Sequence, residues 1–236
     1  MGGCMSDSIH YLPIMLDCRD QACLIVGGGQ VAERKSISLL QAGAILTIIS
    51  PTLTPKLQQL VNQQQLIWHA REYQIGDIAY PCTSDEKLSE FGYRPYFLVH
   101  AVTSVPEINN QVATEAKTYR IPVNVAHQRE QSTFINPNVI RRGRLTIAVT
   151  TSGAGPLAGR YIAKEINQHF GNEYEIYIDF LYHLRETIAQ KVSDESLRKS
   201  LLHQVMSLSI LEEIRQGIFE PWNEQQIEHW INQSIE

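Results

Sequence analysis

A chain of 236 residues amounts to about one and a half domains at about 150 residues each, which suggests one full domain with an appendage. With 43% apolar and 19% charged residues it is too apolar to be intrinsically disordered. The 20 basic and 25 acidic residues leave a net charge of -5, which argues against a nucleic-acid or membrane-surface binder, and no apolar run approaches the roughly 18 to 20 residues of a bilayer span.

Cys4, Cys18, Cys23 and Cys82 form no C-x-x-C pair and have no His at ligand spacing. Neither a zinc site nor a disulfide framework is expected, and a reducing cytoplasm is the expected location. The residues from Met1 to Ser6 match the loose M-G-x-x-x-[ST] acylation pattern, which carries little weight alone, and Met5 is an alternative start.

In chain order, Ala22 to Val26 is a short continuous apolar run, the pattern of a strand buried on both faces. Gly27-Gly28-Gly29 follows, then a helix from Gln30 to Ala42 stopped by Gly43. A strand over Ile45 to Ile49, a helix over Thr54 to Asn62 and a strand near Leu66 to His69 continue an alternation that builds a parallel sheet. Tyr80 to Tyr96 reads as a long polar loop, and Tyr96 to Val102 as another buried strand. Ser104-Val105-Pro106-Glu107 has the form of a capping box opening a helix through Tyr119, before a strand over Ile121 to Val125. Beyond it come a strand over Arg144 to Val149, a small-residue loop over Thr150 to Gly155 and a helix from Pro156 to Phe170. From Tyr174 onward the pattern is helical, with a cap at Ser193-Asp194 and a break from Gly217 to Pro221.

The strongest local signal is Gly27-x-Gly29-x-x-Ala32 between a strand and a helix. The first glycine suits a tight turn, the second lets the backbone approach a pyrophosphate, and the small third residue lets helix and strand pack closely. The helix N-terminus supplies unpaired N–H groups and the positive dipole end for that anion. The carboxylate expected about 20 residues later for a ribose hydroxyl is missing, since no Asp or Glu lies between Glu33 and Glu72. A hydroxyl or backbone group near Ser50 is left for that role, Lys56 suits a 2′-phosphate, and the choice between NAD and NADP stays open. His127 follows the strand Val123-Asn124-Val125, at the end where ligands of such sheets collect, and an imidazole there suits a general base or a plain solvated loop. Arg141, Arg142 and Arg144, with Arg129, Arg160 and Lys164, concentrate positive charge in an acidic chain. They suit a polycarboxylate ligand, or a plain solvated turn.

Taken together the chain resembles the precorrin-2 dehydrogenases, which also form the N-terminal module of bifunctional siroheme synthases. The residues that carry the likeness are Tyr11-Leu12-Pro13-Ile14, Leu24 to Lys35, Leu40 to Ala44, Ile49-Ser50-Pro51 and Ala101-Val102-Thr103 with Asn109. It continues through Val123-Asn124-Val125, Phe134 to Pro137 and Ile147 to Arg160. The resemblance implies an α/β fold: a Rossmann-type NAD-binding domain over 1–136, a dimerisation segment over 137–172 and a small helical domain over 173–236. It implies NAD⁺-dependent oxidation of precorrin-2 to sirohydrochlorin by a cytoplasmic homodimer, and some members also insert ferrous iron.

By motif matching, the cofactor positions are Gly27, Gly28, Gly29, Gln30, Val31, Ser50, Pro51 and Thr52, with Thr103 beside the nicotinamide. Asn124, Arg141, Arg142, Arg144, Thr151, Ser152 and Arg160 are the substrate candidates, and Thr151 takes the place of a serine phosphorylated in some bifunctional members. The family's N-V-x-D aspartate is His127 here, which also accepts a proton; Thr103-Ser104-Val105 and the 80–96 loop depart from the family pattern as well. The missing carboxylates leave a second expectation of another class, a non-catalytic nucleotide or tetrapyrrole carrier or sensor.

Overall fold

The computed structural model describes residues 11–79, 96–126, 128–152 and 155–235. His127, Gly153, Ala154, Cys4, Cys82 and nearly all of the loop expected over 80–96 lie outside them. The chain divides into two compact units, Met1–Ile135 and Asn136–Glu236.

The first unit is built on β1 (Ala22–Val26), β2 (Ile45–Ile49), β3 (Ile67–His69), β4 (Leu98–Ala101) and β5 (Val123–Val125). These pair in the order β3-β2-β1-β4-β5, every pair parallel. The continuous apolar runs form these strands because both faces are covered. On one face Leu24, Val26, Val99 and Ala101 pack on Val112, Ala113 and Ala116 of a helix over Pro106–Thr118. On the other, Cys23, Ile25 and Leu98 meet Ala32 and Leu39 of α1 (Gln30–Gln41) and Leu57 and Leu60 of α2 (Pro55–Asn62). The helix over Pro106–Thr118 is α3. Each fully buried Leu or Ile here contributes about 1.5–3 kcal/mol of transfer free energy.

Sequence neighbours β1 and β2 run one way across the sheet and β4 the other, so β1 and β4 flank a topological switch point, where ligands of open α/β sheets bind. The segment after β3 is tied back onto α3. The Tyr73 hydroxyl donates to the buried Glu115 carboxylate, which also accepts from the Gly76 N–H at 3.0 and 3.1 Å. Arg71 holds Asp77 through two 2.7 Å contacts.

The second unit opens with an antiparallel hairpin of β6 (Asn138–Arg142) and β7 (Leu145–Val149), in register from Asn138↔Val149 to Arg142↔Leu145. Five helices follow: α4 (Pro156–His169), α5 (Glu173–Lys191), α6 (Glu195–Val205), α7 (Ile210–Gln216) and α8 (Glu224–Ile235). Their core gathers Phe180, Leu184, Ile188, Leu201, Val205, Ile210, Ile227 and Ile231.

Two expectations are corrected and one strand is added. Asn138–Arg142 is a strand that the sequence pattern did not mark, because only Ile140 is buried and the hairpin partner supplies the pairing. The stretch after Tyr174 is broken around Ser207 to Ser209 as well as at Gly217. The capping box at Ser104 does not form: Pro106 begins α3 after Val105, with no side-chain cap among the described residues. Asp194 does cap α6, accepting from the Leu197 N–H at 2.7 Å. Among the described residues no helix is long and apolar enough to cross a membrane.

Candidate functional site

The turn between β1 and α1 is set by three glycines with three different surroundings. The Gly27 N–H donates to the Ile49 carbonyl at 2.9 Å and its φ is +124°. A Cβ there would lie 2.7 Å from the Val102 carbonyl oxygen, so the turn requires glycine both conformationally and sterically. At Gly28 a Cβ would lie 1.9 Å from the Thr52 oxygen and 2.8 Å from Ser50 Oγ. Around Gly29 nothing among the described residues lies within 4 Å of that position.

Gly29 is also the N-cap of α1, in extended backbone, and no side chain among the described residues caps the helix. The first N–H groups of a helix have no intrahelical partner. Unpaired N–H groups at the start of α1 and clear space at Gly29 are what a dinucleotide pyrophosphate needs, with Ala32 fully buried so that α1 lies close on the sheet. The crowding at Gly28 has no counterpart in the sequence reading, because its neighbours come from the loop after β2.

That loop is held tightly. Ser50 Oγ donates to the Thr52 carbonyl at 2.8 Å, and the Trp68 indole N–H donates to the Ser50 carbonyl at 2.9 Å. The Thr54 N–H donates to the Gly28 oxygen at 3.0 Å, while Thr54 Oγ1 caps α2 at Leu57 and donates to Glu33 Oε2 at 2.6 Å. Pro51 and Thr52 are exposed beside the glycine turn.

Across the switch point, Thr103 follows β4. Its N–H and the buried Asn109 Oδ1 are 3.0 Å apart, Asn109 Nδ2 returns a bond to the Thr103 carbonyl at 3.1 Å, and the Val105 N–H donates to Thr103 Oγ1 at 3.1 Å. This exchange starts α3 in place of the expected Ser104 box. It also seats Thr103 against Gly27, whose missing Cβ would be 3.1 Å from the Thr103 nitrogen.

Asn124 donates through Nδ2 to the Phe134 carbonyl at 3.0 Å, so its Oδ1 faces His100 Nδ1 at 3.3 Å. Expected at the substrate, Asn124 has both ends of its amide engaged inside the fold. His100, 2% exposed and edge-on to Phe134, is pushed down to about 3 by burial and by the Lys35 charge. Lys35 is itself pushed down to about 8, by burial and then by Arg34. At neutral pH His100 is therefore an uncharged donor to Asn124. Its place here was not legible from sequence, where it had no ligand-like pairing. Burial also pushes the Cys23 thiol up to about 12, far from a reactive thiolate.

The basic cluster of the second unit divides. Arg144 donates to Asp179 at 2.9 Å and lies 3.6 Å over the Tyr182 ring; Arg142 donates to Asn167 at 2.9 Å. Among the described residues Arg160 makes one long contact, 3.4 Å, to the Pro156 carbonyl of its own helix. The Arg141 guanidinium is exposed with no protein partner among the described residues. Thr151 Oγ1 donates to the Gly155 carbonyl at 3.2 Å, and the Ser152 N–H donates to Thr150 Oγ1 at 3.2 Å.

A protein family described as putative NAD(P)-binding matches residues 14–138 of the chain. Curated relatives include a siroheme synthase of Hydrogenovibrio crunogenus, 31% identical over 84% of this chain and 40% of its own length. One of Nitrosospira multiformis is 29% identical over 97% of this chain and 45% of its own. Siroheme synthase 1 of Serratia proteamaculans is 35% identical over 67% and 30% respectively. The chain thus spans less than half the length of these relatives. A solved structure described as SirC, precorrin-2 dehydrogenase, superposes with a TM-score of 0.72 at 22% identity, covering 94% of this chain and all of the other, a likeness of fold.

Proposed function

The chain belongs to the putative NAD(P)-binding family, and from that premise and its siroheme synthase relatives we propose that it oxidises precorrin-2 to sirohydrochlorin, with NAD⁺ taking the hydride. The observation that carries the reading is the glycine turn at the switch point, crowded at Gly27 and Gly28 and open over Gly29.

In this reading the N–H groups of Gly28, Gly29, Gln30 and Val31 hold the pyrophosphate, with Gly27 shaping the turn. Ser50, Pro51 and Thr52 border the adenosine end, and Thr103 the nicotinamide. Bound NAD⁺ supplies the hydride acceptor. The substrate loses one hydride and one proton, giving sirohydrochlorin, NADH and H⁺. His127, two residues past β5 in the sequence, takes the proton, since an imidazole accepts one near neutral pH. The chain's main contribution is to hold two flat molecules in reacting orientation, an effect that supplies several kcal/mol of a barrier.

The tetrapyrrole's carboxylates are met by Arg141 and Arg160, whose guanidinium groups are lightly engaged, with Arg142 and Arg144 adding charge from anchored positions. Thr151 and Ser152 add polar groups for the substrate, and Asn124 acts by fixing the strand end that precedes His127. We take residues 1–136 as the nucleotide domain, 137–172 as a dimerisation segment and 173–236 as the helical domain of a cytoplasmic homodimer. Exposed Val139, Leu157, Tyr161 and Ile162 on the hairpin and α4 support the dimer.

The test is anaerobic incubation of the protein with precorrin-2 and NAD⁺, followed by sirohydrochlorin absorbance. NAD⁺-dependent product is expected. Tetrapyrrole binding without any product would replace the enzyme by a carrier, and unchanged turnover in His127→Ala would remove the proposed base alone.

A further inference from the structure

Rossmann sites usually hold the adenosine ribose through a carboxylate at the end of the second strand. In this chain no Asp or Glu lies between Glu33 and Glu72, so neither β2 nor the loop after it can provide one. The structure brings a carboxylate to the same place from the other side. Glu33 lies in the first turn of α1, its N–H donating to the Gly29 carbonyl at 3.0 Å. Helical side chains lean toward the N-terminus of their helix, here the glycine turn.

Its carboxylate reaches the N-cap of α2, where Oε2 accepts from Thr54 Oγ1 at 2.6 Å. Thr54 is in turn joined to the glycine turn by its N–H bond to Gly28, and Gly28 lies under the Thr52 carbonyl. Glu33, Thr54, Thr52 and Gly28 therefore make one connected set of contacts between the turn and the end of β2. A ribose attached to a pyrophosphate over Gly29 has to pass this set to reach the β2 end. Among the described residues Glu33 Oε1 has no protein donor, so it is available to a ribose hydroxyl.

We infer that Glu33 is the ribose-binding carboxylate of this site, delivered from α1, and that it selects NAD⁺ over NADP⁺; the inference rests on the dinucleotide reading above. The Thr54 hydroxyl fixes one oxygen and so orients the other, which accepts from the ribose 2′-hydroxyl. A hydrogen bond to an ionised acceptor is roughly twice as strong as one between neutral groups. A 2′-phosphate in the same place removes the donor and sets like charges against each other.

Calorimetric titration of the full chain with NAD⁺ and with NADP⁺ tests this, in the wild type and in Glu33→Gln. The glutamine keeps an acceptor for Thr54 and removes the charge. The wild type is expected to bind NAD⁺ at least about tenfold more tightly than NADP⁺, and Glu33→Gln to weaken NAD⁺ about tenfold while narrowing that ratio. A wild type that binds both equally overturns the inference and needs no variant to do so. A Glu33→Gln protein whose two affinities fall in parallel also overturns it. A wild type that binds neither nucleotide overturns the dinucleotide reading itself, and this inference with it.

Discussion

Replacing Gly28 by alanine sets a methyl carbon 1.9 Å from the Thr52 carbonyl oxygen, 2.8 Å from Ser50 Oγ and 2.9 Å from Leu53 Cδ2. A carbon and a carbonyl oxygen normally come no closer than about 3.3 Å, so the loop has to retreat by about 1.4 Å from its 1.9 Å position. The obstacle is backbone, held by the Ser50 hydroxyl and by the Thr54 N–H bond to Gly28, and cannot swing aside. Overpacking of this kind costs about 1–3 kcal/mol, and each internal hydrogen bond lost about 1 more. Gly28→Ala is therefore expected to lose about 3 kcal/mol, a fall in Tm on the order of 10 °C.

Gly29→Ala is the control with the opposite signature. Its backbone is extended, with φ -86° and ψ -170°, and nothing among the described residues lies within 4 Å, so stability should stay within about 1 kcal/mol of the wild type. Yet the added methyl occupies the pyrophosphate space, and NAD⁺ affinity should fall at least about tenfold. Scanning calorimetry measures the first effect and isothermal titration the second. A Gly28→Ala protein that melts with the wild type, or a Gly29→Ala protein that binds NAD⁺ undiminished, would refute the division of roles.

Further outcomes follow from other contacts. His100 titrates near 6.5 when unfolded and near 3 when folded, so the folded state binds fewer protons between those values. Stability is then complete above pH 6.5 and declines by about 1.4 kcal/mol per pH unit from there toward pH 3; urea titrations should show that limb flattened in His100→Leu. Tyr73→Phe removes the hydroxyl donor to buried Glu115 while leaving the Gly76 bonds, and should cost about 1–2 kcal/mol in urea unfolding. Arg144→Ala loses the Asp179 pair and the Tyr182 ring contact, for about 1 kcal/mol of stability. Arg141→Ala should leave stability unchanged and raise the KM for the tetrapyrrole severalfold; the reverse pattern in this pair would return the cluster to a structural role.

The parallel sheet was legible because strands buried on both faces have little choice but continuous apolar sequence, as in ACLIV and ILTII. The glycine turn was legible for the same local reason, strand and helix signals on either side of it. What escaped depended on contacts distant in sequence. Strand β6 has one buried residue and exists through its hairpin partner. The start of α3 is fixed by Thr103 and Asn109, six residues apart, which overrode a local Ser104 pattern. Glu33 meets Thr54 across 21 residues, and His100 meets Asn124 across 24, so neither pairing leaves a mark at any fixed spacing. The arginines looked alike in sequence; only Asp179, Tyr182 and Asn167, supplied by later helices, separate Arg144 and Arg142 from Arg141.

The proposed reaction takes a hydride and a proton from precorrin-2, with the pyrophosphate of NAD⁺ held over Gly29. Its most direct test is the stoichiometry of a single anaerobic reaction, with NADH and sirohydrochlorin followed together as precorrin-2 is consumed. Equimolar formation of the two, absent without NAD⁺ and greatly slowed in Gly29→Ala, is the predicted result. Sirohydrochlorin formed at the same rate without any nicotinamide nucleotide, or none formed with it, would contradict the proposed reaction.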